Sequence, residues 1–167
     1  MFEVNDYVFY ASGGVCRVMD IKTAPLEGMP KDREYYILRS MHDASGVAYI
    51  PIDSDGVFLR SLITREDAEN LLAQCEQIEC IDEPVAKRLR ERYIEAMRTH
   101  RPEEWVRVIK TVNRRLHAPR PAARRISETE RSLAENARKY LYTELSLVME
   151  QSVAEVEARL KRLLCAE

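Results

Sequence analysis

The sequence of 167 residues contains little glycine and no long apolar run, and both absences narrow the class of protein. Only 5 glycines and 7 prolines occur, too few for a fibrous or low-complexity chain. No apolar run approaches the ~18 residues of a membrane span, and the first residues form neither a basic nor an apolar signal segment. Hydrophobic residues at 46% and charged residues at 32% exclude disorder along the whole length. We therefore expect a soluble, cytoplasmic protein of one domain or two small ones, without a membrane partner.

The residue patterns of catalytic and cofactor sites are also missing. The four cysteines form neither a C-x-x-C pair nor a zinc-finger spacing with histidine. None of the three histidines lies near a nucleophile signature, and neither G-x-x-x-x-G-K-[ST] nor G-x-G-x-x-G occurs. These absences predict a protein that is not an enzyme and that has no metal site and no small-molecule substrate.

Residues 1–63 have the composition of a strand-rich domain. All five glycines lie in this part, and short segments rich in β-branched and aromatic residues alternate with turn signals. Gly13 and Gly14 predict a tight turn between the first two strands. The predicted strands are Tyr7 to Tyr10, Val15 to Ile21, Tyr35 to Arg39, Ala48 to Ile52 and Val57 to Arg60. Four or five short strands in about sixty residues predict a small barrel.

From residue 64 onward glycine is absent and apolar residues recur every three or four positions, which indicates helices. Capping boxes predict helix starts after Thr64, Ser127 and Ser152. Pro84 and Pro102 are placed as first-turn prolines of two further helices. The apolar stripe of the helix after Pro102 is predicted to face the core, and it consists of Trp105, Val108, Ile109, Val112 and Leu116. The fold class is therefore α+β, with a small β-barrel at 1–63 and an all-α helical bundle at 64–167.

The net charge of −2 conceals a basic segment. Residues 87–125 hold 13 Lys and Arg against four Glu, a net charge of +9. Any single charge of such a run is most simply a solvated side chain, but the cluster as a whole is typical of a surface that contacts phosphates. Because affinity depends on the number of phosphates neutralised, a chain with net charge −2 is expected to bind DNA weakly unless another module delivers it.

Several segments together resemble the CarD family of bacterial transcription regulators, whose N-terminal module is shared with transcription-repair coupling factors. In the strand-rich part these are Phe2 to Tyr10, Gly13 to Val18, Tyr35 to Arg39, Tyr49 to Asp53 and Leu59-Arg60. In the helical part they are Glu104 to Val112 and Glu135 to Leu147.

The resemblance implies a Tudor-like barrel that binds the β subunit of RNA polymerase and acts without a cofactor. The contact would involve two parts of the chain. One is the strand that leads to the proline of Ile50-Pro51, and the other is the loop after the second strand. In this chain the residues implied are Thr23, Leu26, Val47, Tyr49 and Pro51. Ala24 and Tyr49 stand where some members carry arginines, so an apolar contact is expected in place of a charged one.

The resemblance also implies that the helical domain, residues 64–167, contacts promoter DNA near the upstream edge of the transcription bubble. Members commonly place a tryptophan wedge early in the first long helix of that domain. This chain has no tryptophan there, and Leu89 lies close to the wedge position. The predicted DNA-binding residues are Lys87, Arg88, Arg90, Arg92, Arg114, Arg115, Arg124 and Arg125.

Two hypotheses follow from the sequence. The first is a transcription regulator that docks on the RNA polymerase β subunit and contacts promoter DNA to modulate open-complex stability. The second is a protein-interaction adaptor on RNA polymerase whose helical half binds another protein without direct DNA contact.

Overall fold

The computed structural model describes residues 1–119 and 125–164, and the chain divides into two compact units. The first spans Met1–Leu62 and the second Ile63–Glu167. This division lies one residue before the boundary predicted from the change in apolar spacing.

The first unit is one antiparallel sheet of five strands. The strands are β1 Tyr7–Tyr10, β2 Gly14–Thr23, β3 Glu34–Ser40, β4 Val47–Pro51 and β5 Leu59–Ser61. Their order across the sheet is β4-β3-β2-β1-β5. The five predicted strands are thus confirmed within one or two residues at each end.

Alternation along the strands builds the core of the sheet, because successive side chains point to opposite faces. Val8, Val18 and Leu38 are fully buried on one face, and Ala48, Ile50 and Ile52 of the β4 region pack against them. The predicted glycine turn joins β1 to β2, where Gly13 N–H donates to the Tyr10 carbonyl. A Cβ at Gly13 would lie 2.9 Å from a ring carbon of Tyr10, so a side chain there would displace that ring.

The sheet is open: in residues 1–119 and 125–164, no ladder joins β4 to β5. Closure into a Tudor-like barrel is therefore not confirmed and stays a prediction. The α+β class itself is confirmed, with strands first and helices after them.

The second unit is helical, and its arrangement as a bundle likewise stays a prediction. The helices are α1 Arg65–Gln74, α2 Ala86–Arg98, α3 Pro102–Leu116, α4 Glu128–Met149 and α5 Val153–Leu164, with a 3₁₀ turn at Cys75–Gln77. None of the helices in the described ranges combines the length and the apolar character of a membrane span.

Local capping signals explain most helix starts. Thr64 and Ser127 form complete capping boxes with Asp67 and Glu130, as predicted. Pro102 occupies the first turn of α3, also as predicted. The prediction for Pro84 is wrong: α2 begins at Ala86, and its N-cap is Val85, so the proline precedes the helix.

The core of the helical unit is built around one aromatic residue of α3. Trp105 is 0% exposed, and its ring lies 5.7 Å from that of Tyr140 on α4. Val108, Ile109 and Val112 are buried on the same stripe, which confirms the predicted core face of α3, although Leu116 at its end is exposed.

Candidate functional site

The strand β4 forms one edge of the sheet and pairs only with β3 in the part of the chain that the structure describes. At its two ends, Ser40 N–H donates to the Gly46 carbonyl at 3.0 Å and Ile52 N–H to the Glu34 carbonyl at 3.0 Å. Because hydrogen-bonded and non-hydrogen-bonded pairs alternate in an antiparallel ladder, the even-numbered residues from 46 to 52 bond to β3. The main-chain groups of residues 47, 49 and 51 therefore point away from the sheet.

Three of the residues predicted to bind polymerase are these outward-facing residues. Val47 and Tyr49 each present an N–H and a carbonyl at the edge, whereas Pro51 has no N–H and its carbonyl accepts the Ser54 N–H at 3.2 Å. Their side chains lie on the face opposite Ala48 and Ile50, and that of Val47 is exposed. The edge thus offers main-chain hydrogen-bonding groups beside apolar side chains.

The loop after β2 lies at the end of the sheet where β4 finishes. Thr23 is paired with Glu34, and Glu34 is bonded to Ile52 just beyond Pro51. With strands about 4.8 Å apart, Thr23 is roughly 10 Å from the β4 edge. Leu26 in this loop is exposed, and the backbone at Ala24 and Gly28 has positive φ. The structure therefore brings all five predicted polymerase-binding residues to β4 and the loop two strands away.

The second candidate surface is the start of α2, which is rich in positive charge. Val85 provides no side-chain cap, and the first turn contains no acidic residue. The first N–H groups of a helix have no intrahelical partner, and the helix dipole is positive at this end. Lys87 and Arg88 add side-chain cations to the same turn, and the Glu83 carboxylate just before the helix accepts the Val85 N–H at 2.9 Å.

The cations of α2 do not lie on one face. With 3.6 residues per turn, Arg88 and Arg92 are roughly 40° apart around the axis, and Arg90 is about 160° from Arg88. Leu89 and Tyr93 lie between these flanks and are buried. The cations thus flank the buried stripe on both sides.

Leu89, the possible minor-groove wedge, is not presented to solvent in this structure. Its side chain is 3% exposed and belongs to the buried face of α2. Insertion between base pairs requires an exposed apolar side chain, and leaving the core would cost the stabilisation that burial provides.

Arg115, another of the predicted DNA-binding residues, is bonded within the protein. Its Nη1 donates to Oε1 of Glu130 on α4 and, at 3.4 Å, to the hydroxyl of Tyr93 on α2. The side chains of Arg115 and Glu130 are only 15% and 8% exposed. The guanidinium is therefore committed within the protein and is not presented to phosphates.

Hydrogen bonding determines the ionisation of this pair. Burial raises the pKa of Glu130, but hydrogen bonds from Ser127 and Arg115 outweigh it and hold the pKa below the usual 4.5. Burial also raises the pKa of the Tyr93 hydroxyl. The carboxylate is thus the stable form of Glu130 at neutral pH, and it neutralises Arg115.

Lys110 is a further cation of the basic segment that serves the fold. Its Nζ donates to the carbonyls of Cys75, Glu76 and Ile78 at 3.1, 2.7 and 2.7 Å. These carbonyls end the 3₁₀ turn after α1, where the cation is a favourable partner for the terminal acceptors. No local sequence signal announces this cap, because Lys110 is more than thirty residues away from the turn.

The remaining cations of the segment are more available. In the described ranges, seven are exposed and form no ion pair: Lys87, Arg88, Arg90, Arg92, Arg98, Arg114 and Arg125. Arg101 and Arg107 pair with Glu103 and Glu104. Arg124, a predicted DNA-binding residue, lies outside the described residues. No group of three or more potential metal ligands occurs in residues 1–119 and 125–164.

The comparison with known protein families gives a match for the strand-rich unit. Residues 2–63 match the family model of the CarD-like/TRCF RID domain. No curated protein matches the chain. The match covers the whole five-stranded sheet, including the β4 edge and the loop after β2. The N-terminal unit is therefore similar to the CarD-like/TRCF RID domain, and this similarity suggests a transcription-related function that involves RNA polymerase.

Proposed function

We propose that this protein is a non-enzymatic transcription regulator that docks on the β subunit of RNA polymerase and contacts promoter DNA. The RID domain makes the polymerase contact, and the helical unit adds positive charge beside DNA that the polymerase already holds. The result is a change in the stability of the open promoter complex.

The observation that carries the proposal is the free edge of β4 in a RID domain. An extended segment of the β subunit can add a strand to this edge through the main-chain groups of Val47 and Tyr49. Leu26 and the side chain of Tyr49 supply apolar contacts beside that strand. This arrangement uses no charged residue of the chain.

The exposed cations of α2 support the DNA contact. Lys87, Arg88, Arg90 and Arg92 form no ion pair within the described residues, so they are available to phosphates. Phosphate contacts of this kind carry no sequence information, and they weaken as salt increases. Docking compensates for the small number of contacts, because it raises the local concentration of the helical unit near DNA.

Binding and footprinting with the full chain test the two parts separately. The full chain should bind RNA polymerase and its isolated β subunit, and no binding at micromolar concentration would refute the docking. On a polymerase–promoter complex, the chain should extend the protected DNA at the upstream edge of the bubble. A variant with the edge altered at Tyr49 should lose both effects.

The adaptor hypothesis keeps one specific observation in its favour. Leu89 is buried and Arg115 is paired, so two of the residues predicted to reach DNA do not face solvent. A pure adaptor would bind polymerase while leaving the footprint unchanged, and this outcome would decide for it.

A further inference from the structure

One shielded ion pair connects three elements of the helical unit, α2, α3 and α4, that carry or adjoin exposed cations of the basic segment. Arg115 on α3 bonds to Glu130 on α4 and to the hydroxyl of Tyr93 on α2. The second oxygen of Glu130 accepts the N–H of Ser127 at 2.7 Å. A single carboxylate thus joins the end of α3 to the start of α4, and through Arg115 it reaches α2.

The three residues bonded to this carboxylate or to its arginine partner are each close in sequence to an exposed cation. Tyr93 follows Arg92 on α2, and Arg115 follows Arg114 on α3. Ser127 stands two residues after Arg125. A shift of the ion pair would therefore move cations on three elements at once.

We propose that Glu130 and Arg115 are positioning residues for DNA contact: they hold the cations of α2, α3 and the start of α4 in one arrangement, without touching phosphate. This inference rests on the proposed function of the same helical surface. The shielding of both side chains supports it, because a guanidinium that is 15% exposed and already bonded has little left to offer a phosphate.

Removing the negative charge of Glu130 separates this role from simple electrostatics. A carboxylate that is only a bystander repels DNA, so its loss should strengthen binding. A positioning carboxylate has the opposite effect, because its loss lets the surrounding cations move from their places. The sign of the change in affinity therefore tests the proposal.

The experiment compares Glu130→Gln with Glu128→Gln in the full chain, added to a complex of RNA polymerase and promoter DNA. Glu128 is exposed in the same first turn of α4, and both variants change the net charge equally. Half-saturation of the footprint is measured over a range of salt concentrations, well below the unfolding midpoint of each variant. We expect Glu130→Gln to weaken the DNA contact by roughly 2- to 30-fold. Glu128→Gln should leave it unchanged or strengthen it.

Arg115→Met completes a double-mutant cycle. It should weaken the contact as Glu130→Gln does, and the double variant should be no weaker than either single variant. If Arg115 itself contacts phosphate, Arg115→Met alone lowers the salt slope by about 0.9, which would overturn the proposal. Equal or tighter DNA contact by folded Glu130→Gln would overturn it as well.

Two further outcomes remain decisive. If Glu130→Gln does not fold, Tyr93→Phe removes only one hydrogen bond of the network and should still weaken the contact; unchanged contact would overturn the proposal. If the wild-type chain leaves the footprint unchanged, the proposed function fails, and this inference fails with it. A wild-type footprint that Glu130→Gln retains in full would refute the positioning role alone.

Discussion

The two candidate surfaces differ in the chemical groups that they offer to a partner. The β4 edge offers main-chain N–H and carbonyl groups, whose positions follow from the ladder to β3 and from no particular side chain. The start of α2 offers side-chain cations, whose value depends on which of them the fold leaves unpaired. A contact by main-chain hydrogen bonds should respond weakly to salt, whereas a contact by cations should respond strongly. Substitutions at each surface should therefore produce different responses to salt.

The largest expected effect is on the stability of the helical unit. Glu130→Ala leaves Arg115 shielded and unpaired, and we expect a loss of about 3–5 kcal/mol in the free energy of unfolding of this unit. Urea unfolding followed by the fluorescence of Trp105 measures it. Glu128→Ala, at an exposed position of the same turn, should change the stability by less than about 0.5 kcal/mol. Similar losses in both variants would contradict the role of the pair.

The next effect concerns the edge of the sheet. Tyr49→Pro removes an N–H that points away from the sheet, so the ladder to β3 should survive. Affinity for the β subunit should fall roughly tenfold, because an unpaired buried carbonyl of the partner costs about 1–3 kcal/mol. Titration calorimetry at low and high salt measures it.

Tyr49→Ala is the control for the edge, since it keeps the N–H and removes only the ring. If the proline variant binds no worse than the alanine variant, the partner does not pair with this edge.

A smaller effect is expected at α2. Replacing Arg88, Arg90 and Arg92 together with alanine should lower the salt slope of the DNA contact by about 0.9 for each phosphate that is no longer neutralised. The weakening should be similar on different promoter sequences, because phosphate contacts do not read bases. Binding to the β subunit should not change.

A charge-matched variant provides the control for α2. Arg131, Lys139 and Arg162 are exposed on α4 and α5, and their triple alanine variant makes the same change in net charge. An equal fall in salt slope in this variant would show that the total charge matters and the α2 start does not.

The smallest effect is a dependence of stability on pH. The folded pKa of Glu130 lies below its unfolded value of 4.5, so its contribution is complete above about pH 4.5 and is lost as pH falls through the folded pKa. The stability difference between wild type and Glu130→Gln should therefore narrow in acid. The measurement is the free energy of unfolding of both proteins between pH 3 and pH 7. A difference that stays constant over this range would show that the pair is not ionised.

The sequence predicts elements well where the determining interactions are local. The β-branched and aromatic composition of the first segment predicts β1 with the bounds that the structure has, and the capping boxes at Thr64 and Ser127 mark the starts of α1 and α4. The prediction for Pro84 fails because a proline before a helix can stand outside the first turn as well as within it.

Which cations stay exposed depends on contacts between residues that are far apart in the sequence. This could therefore not be predicted from the sequence. Lys110 bonds to carbonyls more than thirty residues away, and Arg115 meets Glu130 only when α3 and α4 lie together. In the sequence Glu130 is recognisable only as the N3 residue of a capping box, although its other oxygen accepts a hydrogen bond from the arginine. The net charge of +9 therefore overstates the positive charge that a binding partner of this segment can contact.

Pro51, at the end of β4, has a consequence for the behaviour of the free protein. An exposed edge strand is a template for uncontrolled self-assembly, in which copy after copy adds to the same ladder. Since Pro51 has no N–H, a foreign strand that runs along β4 finds no donor at the last outward-facing residue. Pro51 thus shortens the ladder that a second copy of the chain could add to this edge.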